Sequence, residues 1–226
     1  MELDSDLAYL AGLAYGDGYA LYGEIRVTTG SDEFRSSIES LFSELARKHS
    51  ATWRSSLRPS LISKRGVWHI SINSTTLRRA LFKDDYTFSY EAIHTIAVES
   101  EFAAEFQAGL TDAEGSLLLP VPIETPHGRV FAMVNNDRRL LGIARVSLVY
   151  ALHLEPSSVR TRLSKHRGTE HTLNSQRIVA RHNSYLIEIL SGAKRKWLLS
   201  VGSCLRHPAK RRIAVQLLET YRNERV

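Results

Sequence analysis

Two segments of this chain, LAYLAGLAYGDG at residues 7–18 and AEFQAGLTDAEG at residues 104–115, align over an Ala-Gly-Leu core and an acid-Gly ending at a separation of 97 residues. Such a repeat constrains the fold more than any local propensity, because one supersecondary unit then occurs twice. Both segments lead into the same order of elements: a strand-like run, a polar turn, an amphipathic helix and two more strand-like runs. In the first half a strand around Tyr22–Thr28 precedes a helix over Asp32–Lys48, capped by Ser31, with Phe34, Ile38, Leu41, Phe42 and Leu45 in one apolar stripe. Thr52–Leu57 and Val67–Asn73 then alternate, setting Trp53, Ser55 and Leu57 against Arg54, Ser56 and Arg58, and Trp68, Ile70 and Ile72 against His69, Ser71 and Asn73. Each strand is expected to have one dry and one polar face.

In the second half a helix over Asn136–Ala151 precedes strands over Ser158–Lys165 and Arg177–His182, and a final helix runs from Pro208 to about Tyr221. The organisation read from this pattern is a first unit over residues 1–82, a linker over 83–100 and a second unit over 101–226.

Leu7, Leu10, Ala11 and Ala14 recur at helical spacing, so Leu7–Gly16 reads as a helix. Glycine inside a helix costs about 1 kcal/mol relative to alanine. Gly12 and Gly16, matched by Gly109 and Ala113 in the second copy, therefore ask for a reason, and close packing of the two repeated helices supplies it. Asp17 and Glu114 stand in the last turns, each before a glycine suited to a left-handed cap. The helix dipole disfavours a carboxylate there. If the helices lie side by side in the same direction, the two acids also repel each other. A hard divalent cation such as Mg²⁺, which takes oxygen ligands from one or two carboxylates, would hold them.

Charge is unevenly spread: residues 1–99 carry 11 Lys and Arg against 13 acids, and residues 100–226 carry 19 against 11. The stretch 159–212 holds 13 basic residues with only Glu170 and Glu188 as acids, which points to phosphate in preference to lipid. The single cysteine, Cys204, excludes an internal disulfide or a cysteine-rich zinc site. No window approaches the roughly 20 apolar residues of a membrane span, and the first residues carry no signal-like pattern. The expectation is an intracellular protein, cytoplasmic or organellar, with no membrane partner.

At the repeated helices the chain resembles the LAGLIDADG homing endonucleases, since residues 10–18 read LAGLAYGDG and residues 107–115 read QAGLTDAEG. The resemblance implies an α+β fold of two tandem pseudo-symmetric αββαββα units, with paired motif helices at the centre and two antiparallel, saddle-shaped sheets that bind DNA. It implies double-strand cleavage at a long asymmetric site with Mg²⁺ or Mn²⁺, Ca²⁺ binding without supporting cleavage. The eighth motif residue, the family's catalytic acid, falls on Asp17 and Glu114. The neighbouring Gly16 and Ala113 are further metal-site positions. Tyr15 and Gln107 depart from the motif at its sixth and first places, and Asp112, at the sixth place of the second copy, reads as a packing or capping residue.

Family members also use a lysine or glutamine near the strand ends. The nearest counterparts are Lys210 and Asn135 in the second unit and Thr29 in the first, and Lys210 is taken as the third catalytic residue. The polar strand faces are expected to meet double-stranded DNA, because a sheet fits the major groove and offers every second side chain to the bases. Glu24, Arg26, Thr28, Arg54, Arg58 and His69 belong to the first face and Arg160, Arg162, Arg177 and Arg181 to the second. Lys194 and Lys196, in the run before Trp197, and the run Lys210, Arg211 and Arg212 are expected at phosphates.

Two motifs in one chain make a protein partner unnecessary and a monomer the expectation. An RNA intron maturase or DNA-binding regulator on the same fold would not need both acids. An ordinary α/β module would bind neither metal nor DNA. An intein is not expected, since Met1 is no splicing nucleophile.

Overall fold

The computed structural model describes residues 2–60, 66–117, 131–173, 176–179 and 181–223, of which residues 171–178, 191–192 and 221–223 are described as backbone only. The architecture is α+β, with two four-stranded antiparallel sheets and a separate two-stranded one. Helix α1 (Ser5–Asp17) starts where the Asp4 carboxylate accepts the Leu7 N–H at 2.8 Å. Strands β1 (Gly18–Leu21) and β2 (Glu24–Thr29) come next, then helix α2 (Asp32–His49), β3 (Thr52–Arg58), β4 (Val67–Asn73) and helix α3 (Thr75–Leu81). Ser31 caps α2 as expected, accepting from the Phe34 N–H at 3.2 Å. The stripe Phe34, Ile38, Leu41, Phe42 and Leu45 is buried against Ile25, Val27, Ile70 and Ile72, the core side of the first sheet.

The connecting stretch 83–100 is itself helical over α4 (Tyr90–His94) and a wider turn at Thr95–Glu99, and it buries Ile93, Ile96 and Ala97. Helix α5 (Ala103–Glu114) then leads to β5 (Gly115–Leu117), β6 (Phe131–Asn135) and helix α6 (Arg138–Val146), which runs on as a wider turn over Ser147–Ala151. Next come β7 (Val159–Lys165), the hairpin β8 (Glu170–Leu173) and β9 (Gln176–Val179), β10 (Ser184–Ile189), and helices α7 (Ser191–Ser200) and α8 (Pro208–Asn223). The two large sheets have the same order of strands, β1-β2-β4-β3 and β5-β6-β10-β7.

Helices α1 and α5 pack side by side in the same direction, and glycine is what lets them. A Cβ on Gly12 would stand 2.0 Å from the Phe106 carbonyl oxygen, one on Gly109 2.1 Å from the Tyr9 carbonyl oxygen, and one on Gly16 2.3 Å from the Ala113 Cβ. Contacts that advance from Tyr9 with Gly109 to Gly16 with Ala113 mean that both helices point their C-termini to the same end.

Several expectations need correction. Tyr22 is not in a strand: with Gly23 it forms the two-residue turn between the paired Leu21 and Glu24, at φ values of 46° and 86°. The strand expected at Arg177–His182 is shorter and pairs within its own hairpin, Arg177 facing Thr172. The inner position of the second sheet goes to β10, whose Leu186, Ile187 and Ile189 are buried, whereas Val179 of the expected strand stays exposed. Strands β3 and β7 lie at sheet edges and do not have one fully dry face: Trp53, Leu57 and Thr161 remain exposed. Gly18 and Gly115 are extended rather than left-handed. They are small because a Cβ would fall 2.6 Å from the Ala14 Cα and 2.7 Å from the Thr111 carbonyl oxygen.

Candidate functional site

The parallel pairing of α1 and α5 brings Asp17 and Glu114 to the same end of the molecule. The Gly16 contact is close enough that a Cβ there would also lie 3.1 Å from the Glu114 Cγ. Asp17 is open to solvent and Glu114 half-buried, but protein crowds both carboxylates. That crowding raises the Asp17 pKa above the ordinary carboxylate value, with the Lys210 charge opposing it. At Glu114, burial and then the charge of Asp17 push the pKa up to about 7, against the Lys210 charge and a hydrogen bond from Asn135. The two acids therefore feel each other's charge.

Both second-unit counterparts reach this end. Asn135, the last residue of β6, donates its side-chain N–H to Glu114 Oε1 at 3.0 Å and accepts from the Asp137 N–H at 2.7 Å, which fixes its amide. Lys210, in the first turn of α8, donates to the carbonyls of Thr111 and Asp112 at 2.7 Å each. Burial lowers its pKa, and the charges of Asp112, Asp17 and Glu114 work the other way. A cleft of about 280 Å³ opens beside it, lined by Asp17, Thr28, Thr29, Phe34, His207 and Lys210 among others. Thr29, the first-unit counterpart, is thus in the cleft, while its hydroxyl accepts from the Ser31 N–H at 3.1 Å. Lysine offers three donors, so Lys210 keeps one for whatever enters.

Asp112 has the packing role expected of it. It is almost fully buried, and its Oδ2 accepts from the Tyr9 hydroxyl at 2.5 Å and from the backbone N–H groups of Arg206 and His207 at 2.7 and 2.9 Å. Sequence reasoning missed Tyr9, Arg206 and His207. Arg206 and His207 belong to no motif, Tyr9 stands just before the nine-residue one, and their partners lie about a hundred residues away.

The outward face of the first sheet collects every residue expected there. Register sets Glu24 beside Asn73, Arg26 and Arg54 on either side of Ser71, Thr28 and Ser56 on either side of His69, and Arg58 beside Val67. Arg26 pairs with Glu24 and donates to the Tyr19 hydroxyl at 2.9 Å, and Arg54 reaches Glu24 at 3.1 Å. Burial opposes the Glu24 charge, but hydrogen bonds from Arg26 and Ser71 and the two arginine charges outweigh it and hold its pKa below the ordinary value. Burial lowers the His69 pKa, helped by Arg58 and Arg26, which leaves it a neutral hydrogen-bonding group among cations.

On the second sheet Arg160 faces Glu188 and Arg162 faces Leu186, on the side away from the core. Arg162 forms a two-pronged pair with Glu188, both contacts at 3.1 Å. Arg177 lies on β9, its side chain outside the described residues, and Arg181 is exposed after it. Neither is in the four-stranded sheet.

Lys194 is a clear correction. Helix α7 packs Trp197 against Phe131 at 4.6 Å between ring centroids, on the core side of the second sheet, and Lys194 is only 2% exposed. Lys196 is exposed but donates to the His153 carbonyl at 2.7 Å from the same helix. This charge run therefore sits on the side of the sheet opposite Arg160 and Arg162. Of the later run, Lys210 turns inward, Arg212 pairs with Glu33 at 3.2 Å and Arg211 is exposed.

No helix among the described residues is long and apolar enough to cross a membrane. Neither the family models nor the curated proteins include a match to this chain.

Proposed function

We propose that the chain is a metal-dependent, site-specific double-stranded DNA endonuclease of the LAGLIDADG type. The observation that carries this reading is the pair of carboxylates, Asp17 and Glu114, at the tips of two parallel, glycine-packed helices beside Lys210. The shared order of strands in the two sheets supports two αββαββα units, one behind each acid.

The donor set fits a hard divalent cation. Two carboxylates that raise each other's cost of ionisation, one of them to about 7, are suited to a Mg²⁺ or Mn²⁺ charge between them. Asp17 and Glu114 would hold it, with Gly16 and Ala113 behind them at the helix contact. Such an ion, when bound, supplies electrophilic activation of a phosphodiester and of the water that attacks it. The chain's own residues do the rest. Asn135 fixes the Glu114 carboxylate through Oε1. Lys210 lines the cleft, where its ammonium group would bind a phosphate oxygen or orient water.

The two outward faces carry arginines and polar side chains at strand spacing, which suits the major groove. Because Glu24 and Glu188 hold neighbouring arginines in place, their forks are preorganised for bidentate partners such as a guanine edge or a phosphate. The two faces differ in sequence, so the site read would be asymmetric, and one chain suffices to cut both strands.

The test is cleavage of a host-genomic duplex library with Mg²⁺ by the intact protein and by Asp17→Asn and Glu114→Gln. The expected outcome is cutting at one long asymmetric site, lost in both variants while binding is kept. Binding without cutting under any divalent ion would favour a maturase or regulator instead.

A further inference from the structure

We infer that Asp112 is a positioning residue that sets Lys210 in the cleft. This rests on the nuclease reading only for the consequence it has for cleavage. The geometry ties one segment down at both ends through one residue. The Asp112 carboxylate takes the N–H groups of Arg206 and His207 at 2.7 and 2.9 Å, directly before Pro208 opens α8. The Asp112 carbonyl, with that of Thr111, takes the Lys210 ammonium at 2.7 Å. The His207 carbonyl accepts the Arg211 N–H of α8, so the His207 N–H is one of the helix-start donors that lack an intrahelical acceptor and favour a negative charge, and Asp112 acts as a cap lent by α5 to α8. Capping fixes where α8 begins and how its first turn is rotated, and Lys210 is in that turn.

Two further contacts keep the cap in register with the helix pair. The Tyr9 hydroxyl of α1 donates to the same Asp112 oxygen at 2.5 Å. Arg206 lies over the Tyr9 ring, 4.6 Å from its centroid, and pairs with Asp6 at 2.7 Å. The lysine is thereby referenced to both motif helices, whose tips carry Asp17 and Glu114. The corresponding place in the first helix is Tyr15, whose hydroxyl donates to the Leu81 carbonyl at 2.5 Å, so the device is one-sided.

The experiment compares Asp112→Ala, Asp112→Asn, Lys210→Ala and the Asp112→Ala/Lys210→Ala double variant. Its first readout needs neither metal nor DNA: the rate of acylation of the Lys210 amine and the amide exchange of Arg206 and His207. In Asp112→Ala both should speed up by about tenfold or more, as expected for released hydrogen bonds, with the amides of α1 still protected. Asp112→Asn keeps a carbonyl oxygen for the two N–H groups and should stay near the intact protein.

Single-turnover cleavage with Mg²⁺ is the second readout. Asp112→Ala should lose about a hundredfold, the scale of a misplaced catalytic group, and the double variant should be no slower than Lys210→Ala. Unchanged acylation and exchange in Asp112→Ala, or losses that multiply in the double variant, would overturn the inference. If Asp112→Ala does not fold, Asp112→Ser carries the same comparison. A protein that cuts no DNA would remove the nuclease reading, while acylation and exchange would still decide the role of Asp112.

Discussion

Glu114 shows how a single residue would tie stability to the proposed ion. Its pKa in the folded chain, about 7, lies above the ordinary glutamate value of 4.5, so folding favours the protonated form. The stabilisation this group contributes is complete below the unfolded value and is lost as the pH rises through 7. Glu114→Gln cannot ionise. In metal-free buffer it should therefore melt above the intact protein at about pH 8 and show no such gain at about pH 4. Mg²⁺ should raise the melting temperature of the intact protein at the higher pH and do little for the variant. Scanning calorimetry with chelator and with Mg²⁺ checks both; a variant less stable at the higher pH would contradict the assignment.

The helix pair is the element on which the site depends, and it tolerates almost no added volume. Gly109→Ala would drive a methyl group to about 2.1 Å from the Tyr9 carbonyl, backbone that cannot swing aside. The helices would have to separate, at a cost of about 3 kcal/mol or more, even though alanine is the better helix former. Urea denaturation measures the loss, and a stabilised variant would show that the pairing is looser than these contacts require. The spacing of Gly12, Gly16, Gly109 and Ala113 made this contact legible in the sequence. What was not legible was the work done by Gly18 and Gly115: an acid-Gly helix end suggests a left-handed cap, yet both glycines are extended and the constraint is the preceding turn.

Across the whole molecule the distribution of charge matters more than its sum. The net +6 suggests nucleic acid, but Lys194 is buried and Lys196 is tied to a carbonyl behind the second sheet. Arg160 points outward from β7 and is exposed. Arg160→Ala should lower the slope of log affinity against log salt by about 1, the signature of one phosphate contact. Lys194→Met should leave the slope unchanged. Fluorescence anisotropy on a DNA duplex over a salt series decides this, and an equal effect of the two changes would sink the assignment of faces.

The sequence by itself determined the repeat, the amphipathic stripes, the starts of α2 and α8 and the place of two acids at helix tips, because each depends on neighbours within a few turns of the chain. It determined the polar face of the first sheet for the same reason, since alternation is local. Tertiary structure alone decided which strand fills the inner position of the second sheet, which lysines face solvent, and that Tyr9, Asp112 and Arg206 converge to set Lys210. Those outcomes depend on burial and on hydrogen-bond partners about a hundred residues apart, and no local pattern encodes them.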